Sequence, residues 1–117
     1  MAVIGTFKNN IKNIGVDGEN ITLKTAVVPR NQTVEVTHAS LTDYTSTNRK
    51  LIIGIRDVSN VDTYLKVDKG NAVYSLWLNG RPMLYEGECL IGIVENTNTG
   101  DELFLSVHGV RYRAKEG

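Results

Sequence analysis

The sequence predicts an all-β chain: an eight-stranded antiparallel jelly-roll sandwich preceded by an extended N-terminal arm. Three observations predict it. Apolar residues recur at every second position in run after run, the spacing that lines up one face of a pleated strand. Turn formers interrupt these runs at short intervals, as in sandwiches and barrels. No extended window keeps the 3.6-residue period of an amphipathic helix.

The elements follow in order. Ile21, Leu23 and Val27 alternate with polar residues until Pro29-Arg30-Asn31-Gln32 ends the run. Val34 and Val36 lead the second strand, which continues to about Tyr44. The polar stretch Thr45-Ser46-Thr47-Asn48 separates it from a strand led by Leu51, Ile53 and Ile55. That strand ends near Asp57-Val58-Ser59-Asn60, and a short one over Thr63–Val67 stops at Asp68-Lys69-Gly70-Asn71. The connections at 45–49 and 57–62 are long enough to cross between sheets. Tyr74, Leu76 and Leu78 share the inward face of the next strand. Asn79-Gly80 then predicts a hairpin, because both central positions of a type I′ turn need positive φ. Pro82 suits an edge position. After the Glu86-Gly87 turn, Cys89–Val94 is nearly all apolar, which predicts a strand covered on both faces. Asn96–Gly100 is a loop. Leu103, Leu105 and Val107 face inward on the last strand. At Gly109 the apolar phase passes to Val110 and Tyr112, which predicts a β-bulge. An open Greek-key barrel of the oligonucleotide-binding kind is the second architecture, but it needs five long strands rather than eight short ones.

Residues 1–20 differ from the jelly-roll domain expected over 21–117. They are rich in Asn, Gly and Lys, with Val3, Ile4, Phe7, Ile11 and Ile14 isolated among them. The segment reads either as a strand or tail at the domain's edge or as an arm that docks these apolar residues on a neighbour. Strand parity adds two further contact residues. Trp77 points away from Leu76 and Leu78, and Phe104 points away from Leu103 and Leu105. Outward aromatics are common in protein interfaces.

The chain has 117 residues, enough for one domain with its own core. Thirteen basic residues balance thirteen acidic ones, so nucleic acid and anionic membranes are not its expected partners. No apolar run approaches the roughly 18 residues that span a bilayer. Met1–Lys8 lack the pattern of a secretory signal, and the starting Met is expected to be the natural N-terminus.

Little here points to catalysis, and no enzyme activity, cofactor or metal is expected. His38 and His108 with Cys89 supply at most three zinc ligands, from distant parts of the chain. Cys89 opens an apolar strand beside Glu88, the wrong setting for an activated thiolate. Asp17-Gly18-Glu19-Asn20 lacks the acidic spacing of a calcium loop and reads as a turn. Asp57, Asp62 and Asp68 sit where aspartate makes local turn hydrogen bonds. No phosphate-binding glycine loop or nucleophile elbow occurs. Arg111-Tyr112-Arg113 with Lys115 is a gripping pattern for single-stranded nucleic acid, but the neutral overall charge favours a solvated terminal strand.

From Tyr74 the chain reads Tyr-Ser-Leu-Trp-Leu-Asn-Gly-Arg-Pro-Met-Leu-Tyr-Glu-Gly-Glu-Cys-Leu-Ile-Gly-Ile-Val-Glu-Asn, and from Thr99 Thr-Gly-Asp-Glu-Leu-Phe-Leu-Ser-Val-His-Gly-Val. This resembles the C-terminal half of small jelly-roll virion proteins of tailed phages. The shared pattern is an apolar strand, a hairpin, a strand opened by a Gly-Glu turn, then Gly-Asp and a last strand ending in Gly. The resemblance implies a capsid decoration or cement protein, assembled as a trimer on a shell of major capsid protein. It implies a virion location after assembly in the host cytoplasm, and it names no catalytic residue. A carbohydrate- or receptor-binding sandwich is the alternative, with a groove lined by Trp77, Tyr44 or Tyr64.

Overall fold

The computed structural model describes residues 2–47, 49–69 and 74–113. Met1, Asn48, Gly70, Asn71 and Lys115, named above, lie outside the described residues. Those residues form nine strands and no helix. They are β1 (Ala2–Ile14), β2 (Ile21–Lys24), β3 (Gln32–Asp43), β4 (Lys50–Arg56), β5 (Asp62–Lys69), β6 (Ser75–Trp77), β7 (Met83–Leu84), β8 (Cys89–Val94) and β9 (Glu102–Arg113). One sheet runs β1-β9-β3-β6, with β7 also on β3; the other runs β2-β8-β4-β5. Every pairing is antiparallel.

The sheets pack face to face over one core. Leu41 and Leu105 from the five-stranded sheet meet Leu51, Ile53, Leu90 and Val94 from the four-stranded sheet. All six residues of β8 are buried, as its unbroken apolar run predicts. Leu90 and Val94 join the main core. Cys89, Ile91 and Ile93 cluster with Ile52 on the opposite face.

The ninth strand comes from the segment expected to be an arm. Residues 2–14 pair along β9 from Ala2↔Arg113 to Ile14↔Glu102. The segment holds there because Phe7 fills a core position, with the Arg111 guanidinium carbon 5.2 Å from its ring centroid. Asn9 Oδ1 also accepts from the amide of Ala26 at 2.9 Å, tying β1 to the connection that follows β2.

Several local expectations change. Asn79-Gly80 does not close a hairpin: β6 and β7 both pair with β3, in line, as two halves of one interrupted edge strand. Gly80 has φ of 95°, but Asn79 is not among the positive-φ residues, so a type I′ turn does not form. The bulge expected at Gly109 lies instead on β3, where Thr37 is the extra residue between Val36↔Gly109 and His38↔His108. β9 therefore keeps its phase through Gly109, where a side chain would strike the backbone carbonyl of Glu35, and Val110 faces outward. Tyr74 is exposed rather than inward, since regular pairing of β6 begins only at Ser75. Val27 is exposed and Val28 buried, because β2 ends at Lys24 and the alternation with it.

The 44–49 connection does cross between sheets, but 57–61 joins β4 to β5 within one sheet. Asn31, Asn60 and Asn96 all adopt positive φ, which suits asparagine in turns.

Candidate interaction surface

The outer face of the five-stranded sheet gathers side chains that the sequence scatters. Register places His38 opposite His108, Ser40 opposite both Ser106 and Trp77, and Thr42 opposite both Phe104 and Ser75. The His38 and Trp77 rings meet edge to face at 5.1 Å, and His38 lies 5.5 Å from His108. Tyr44 and Phe104 tilt together at 6.3 Å. Between them run short polar contacts: Ser106 Oγ to Asn10 Oδ1 at 3.1 Å, and Thr42 Oγ1 with Ser75 Oγ at 2.8 Å. At one end Lys12, Ile14, Tyr44, Glu102 and Phe104 border a shallow pocket of about 250 Å³.

The predicted contact residues divide. Trp77 is 56% exposed and faces outward, as its parity predicts. Phe104 is half-buried on the same face. Val3, Ile4 and Ile14 are exposed along β1. Ile11 is partly buried against the core, and Phe7 is sealed at 1% exposure, so it is a core residue and has no free surface to offer a neighbour. Trp77 and Tyr44 share a face, but Tyr64 belongs to β5 in the other sheet, so the three do not line one groove.

Arg111 is occupied within the fold. Its Nε donates to the Thr6 carbonyl at 3.0 Å, and an NH1 donates to Gln32 Oε1 at 3.3 Å. The Tyr112 hydroxyl donates to Glu35 Oε1 at 3.2 Å. Two of the three residues of the Arg-Tyr-Arg motif are therefore engaged internally.

Of the three aspartates expected in loops, Asp57 lies in one and makes local turn bonds, whereas Asp62 and Asp68 belong to β5. Asp57 Oδ1 accepts from the amides of Ser59 and Val61. Asp62 takes a two-pronged ion pair from Arg56, at 2.8 and 3.1 Å. The hydrogen bond from Arg56 holds this carboxyl below the usual aspartate range. Asp17 precedes β2 in a turn, and its Oδ1 accepts from the Thr99 amide.

The polar group that sequence reasoning missed is a buried acidic pair at one end of the sandwich. Asp43 is 0% and Asp101 2% exposed. Asp43 Oδ1 accepts from the amides of Thr45 and Ser46, both at 3.0 Å. Asp101 accepts from Ser46 Oγ at 2.8 Å and from the Asn98 amide at 3.1 Å, and Arg49 Nε lies 3.8 Å away. Burial raises Asp43, resisted by the Ser46 and Thr45 amides, while Asp101 adds to the rise. Burial also pushes Asp101 upward, but the Asn98 amide, Ser46, Asp43 and Arg49 together carry it below the ordinary value. Among the described residues, no group of three or more His, Cys, Asp or Glu is arranged to hold a metal.

Burial pushes the Cys89 thiol up, against the weaker pull of Arg56 and Lys24. A raised pKa and 4% exposure together predict an inert core thiol. A thiol-disulfide reagent should leave the native protein unmodified and titrate one thiol per chain in denaturant. Rapid native modification would contradict this.

No family model and no curated protein matches the chain. Solved structures do match it in fold. A subunit of Bacillus endospore appendages, described as a novel family of disulfide-linked pili, superposes with a TM-score of 0.56 at 11% identity, covering 97% of this chain and 90% of that one. The Drosophila NLP core, a structure described in terms of pentamer formation and histone binding, superposes with a TM-score of 0.48 at 12% identity, covering 94% of this chain and 100% of that one. At this identity the pilus subunit defines the class of fold, a two-sheet antiparallel β-sandwich.

Proposed function

We propose that the chain is a structural virion protein with a jelly-roll fold, a capsid decoration protein that assembles as a trimer on a shell of major capsid protein. The strand order supports the jelly roll: β1-β9-β3-β6 against β2-β8-β4-β5 matches two interleaved Greek keys. The observation that carries the role is apolar surface left outside a closed core. Trp77, Val3 and Ile14 each expose more than half their surface, although both sheets already bury a continuous interior. Folding does not need those side chains outside, and a contact surface does.

The physics of the role is mass action. A protein that binds only the assembled lattice stabilises that lattice. Three linked copies turn weak single contacts into strong attachment. Co-sedimentation with the shells of its virus tests the reading. The protein should pellet with assembled shells and not with unassembled shell protein, and Trp77→Ala should weaken binding about tenfold or more. Equal recovery with and without shells would overturn it.

A second reading is a saccharide-binding face. Trp77 and Tyr44 are both exposed on one sheet face that also carries Ser75, Ser106 and Asn10, and aromatic faces stack on sugars while hydroxyls bond them. A glycan array without binding would remove this reading.

A further inference from the structure

β3 and β9 are the two central strands of the five-stranded sheet, and they set the chain's two histidines directly opposite each other on its outer face. The surroundings fix both residues. Thr37, the extra residue of the β3 bulge, immediately precedes His38, and its Oγ1 donates to the His108 carbonyl at 3.2 Å. Such bulges re-aim a neighbouring side chain. From β6 the Trp77 ring meets His38 edge to face at 5.1 Å. His108 Nε2 is closed off from solvent and has no hydrogen-bond partner among the described residues, although buried polar atoms are nearly always paired.

We propose that His38 and His108 together bind one zinc ion, as an exchangeable surface site with two ring nitrogens from the protein and water in the remaining positions. The spacing selects this metal. A zinc–nitrogen bond of about 2.0–2.1 Å places a ring centroid about 3.2 Å from the ion, so two rings at the tetrahedral angle have centroids about 5.2 Å apart. Neighbouring positions on a square-planar or octahedral ion, at roughly 90°, would bring them to about 4.5 Å. The two rings stand at 5.5 Å, near the tetrahedral value. Coordination supplies the partner that His108 Nε2 lacks. Both histidines are only half-buried, so a small rotation opens that nitrogen to an entering ion. Lys8, opposite His108 on β1, works against a cation here, but its side chain is exposed and extends into solvent at little cost. Cys89 belongs to the other sheet and takes no part.

The inference does not depend on the assembly reading, and zinc alone tests it. Titrated into the tag-free full chain in a calorimeter, zinc chloride should bind once per chain at micromolar concentration. In ring-selective proton–nitrogen NMR spectra, the signals of both histidines should move together as zinc is added. His38→Gln and His108→Gln should each weaken binding about tenfold or more while still unfolding cooperatively. Lys8→Gln, which removes the opposing charge, should bind at least as tightly as the parent. No binding at millimolar zinc would overturn the site. So would a shift of one ring without the other, or undiminished binding by either histidine variant, since the ion would then be held elsewhere.

Discussion

Leu41→Ala should destabilise the protein by about 3–4 kcal/mol, the cost of emptying a fully packed leucine site. Domains of this size hold about 5–15 kcal/mol in total, so the unfolding temperature should fall by roughly 10–15 °C. The site is demanding because Leu41 is 0% exposed and sits between Leu105 on one neighbouring strand and Leu76 on the other. Gly92 on the facing β8 shows how tightly it is filled. A methyl group at Gly92 would lie 2.8 Å from Leu41 Cδ1 and 3.2 Å from Leu105 Cδ1. Gly92→Ala should therefore cost about 1–3 kcal/mol in the parent protein through overpacking. It should cost less beside Leu41→Ala, where both Leu41 methyl carbons are gone and only Leu105 Cδ1 still crowds the site. Thermal unfolding of the two single variants and the double variant closes the cycle. Strict additivity would mean that the glycine is not selected by Leu41.

The same residues show what could be read from the chain. β3, β4, β8 and β9 were legible because each carries several apolar residues at inward positions: Leu103, Leu105 and Val107 are all buried in β9. β1 was not, because its inward positions are Gly5, Phe7, Asn9, Ile11 and Asn13, judged from their partners on β9. Two apolar residues in five leave no period to detect. Asn9 earns an inward site through one hydrogen bond to Ala26, a long-range contact that no local pattern encodes. The Gly109 phase shift was misassigned for a related reason. A glycine in a strand marks a close backbone approach as well as a bulge, and here the carbonyl of Glu35 on β3 makes that approach.

The surface divided along the same line. The outward aim of Trp77 followed from parity alone, since its neighbours Leu76 and Leu78 face the core. Its company of His38 and His108 did not, because cross-strand register brings residues 38, 77 and 108 together from three separate runs. The Asp43–Asp101 pair was hidden in the same way. Each residue reads singly as a turn former at a strand end, and only the meeting of the 43–49 and 95–101 loops makes them a pair.

Asp43→Asn should raise the unfolding temperature near neutral pH, whereas Asp101→Ala should lower it sharply. The folded protein raises the pKa of Asp43. Its contribution to stability is therefore complete below the unfolded value of about 3.9 and is lost as pH rises through the folded value. Asparagine is neutral throughout, so it avoids that loss. Its side-chain oxygen keeps the acceptor role toward the Thr45 and Ser46 amides, and its NH2 donates toward Asp101 where a protonated carboxyl would. Asp101 behaves oppositely, because its folded value is depressed. Its contribution is present above about pH 3.9 and fades as pH falls through the folded value. Removing it strands Arg49, whose Nε has no hydrogen-bond partner, and takes an acceptor from Ser46 and from the Asn98 amide. Breaking a buried ion pair on one side costs about 3–5 kcal/mol, and Arg49 at 17% side-chain exposure places this case at the lower end. Circular dichroism melts from pH 3 to pH 8 should show Asp43→Asn gaining on the parent as pH rises, and Asp101→Ala converging with it as pH falls. If Asp43→Asn instead lost stability steadily toward neutral pH, the two carboxyls would not be competing for one proton, and the end of the sandwich would be held by Arg49 alone.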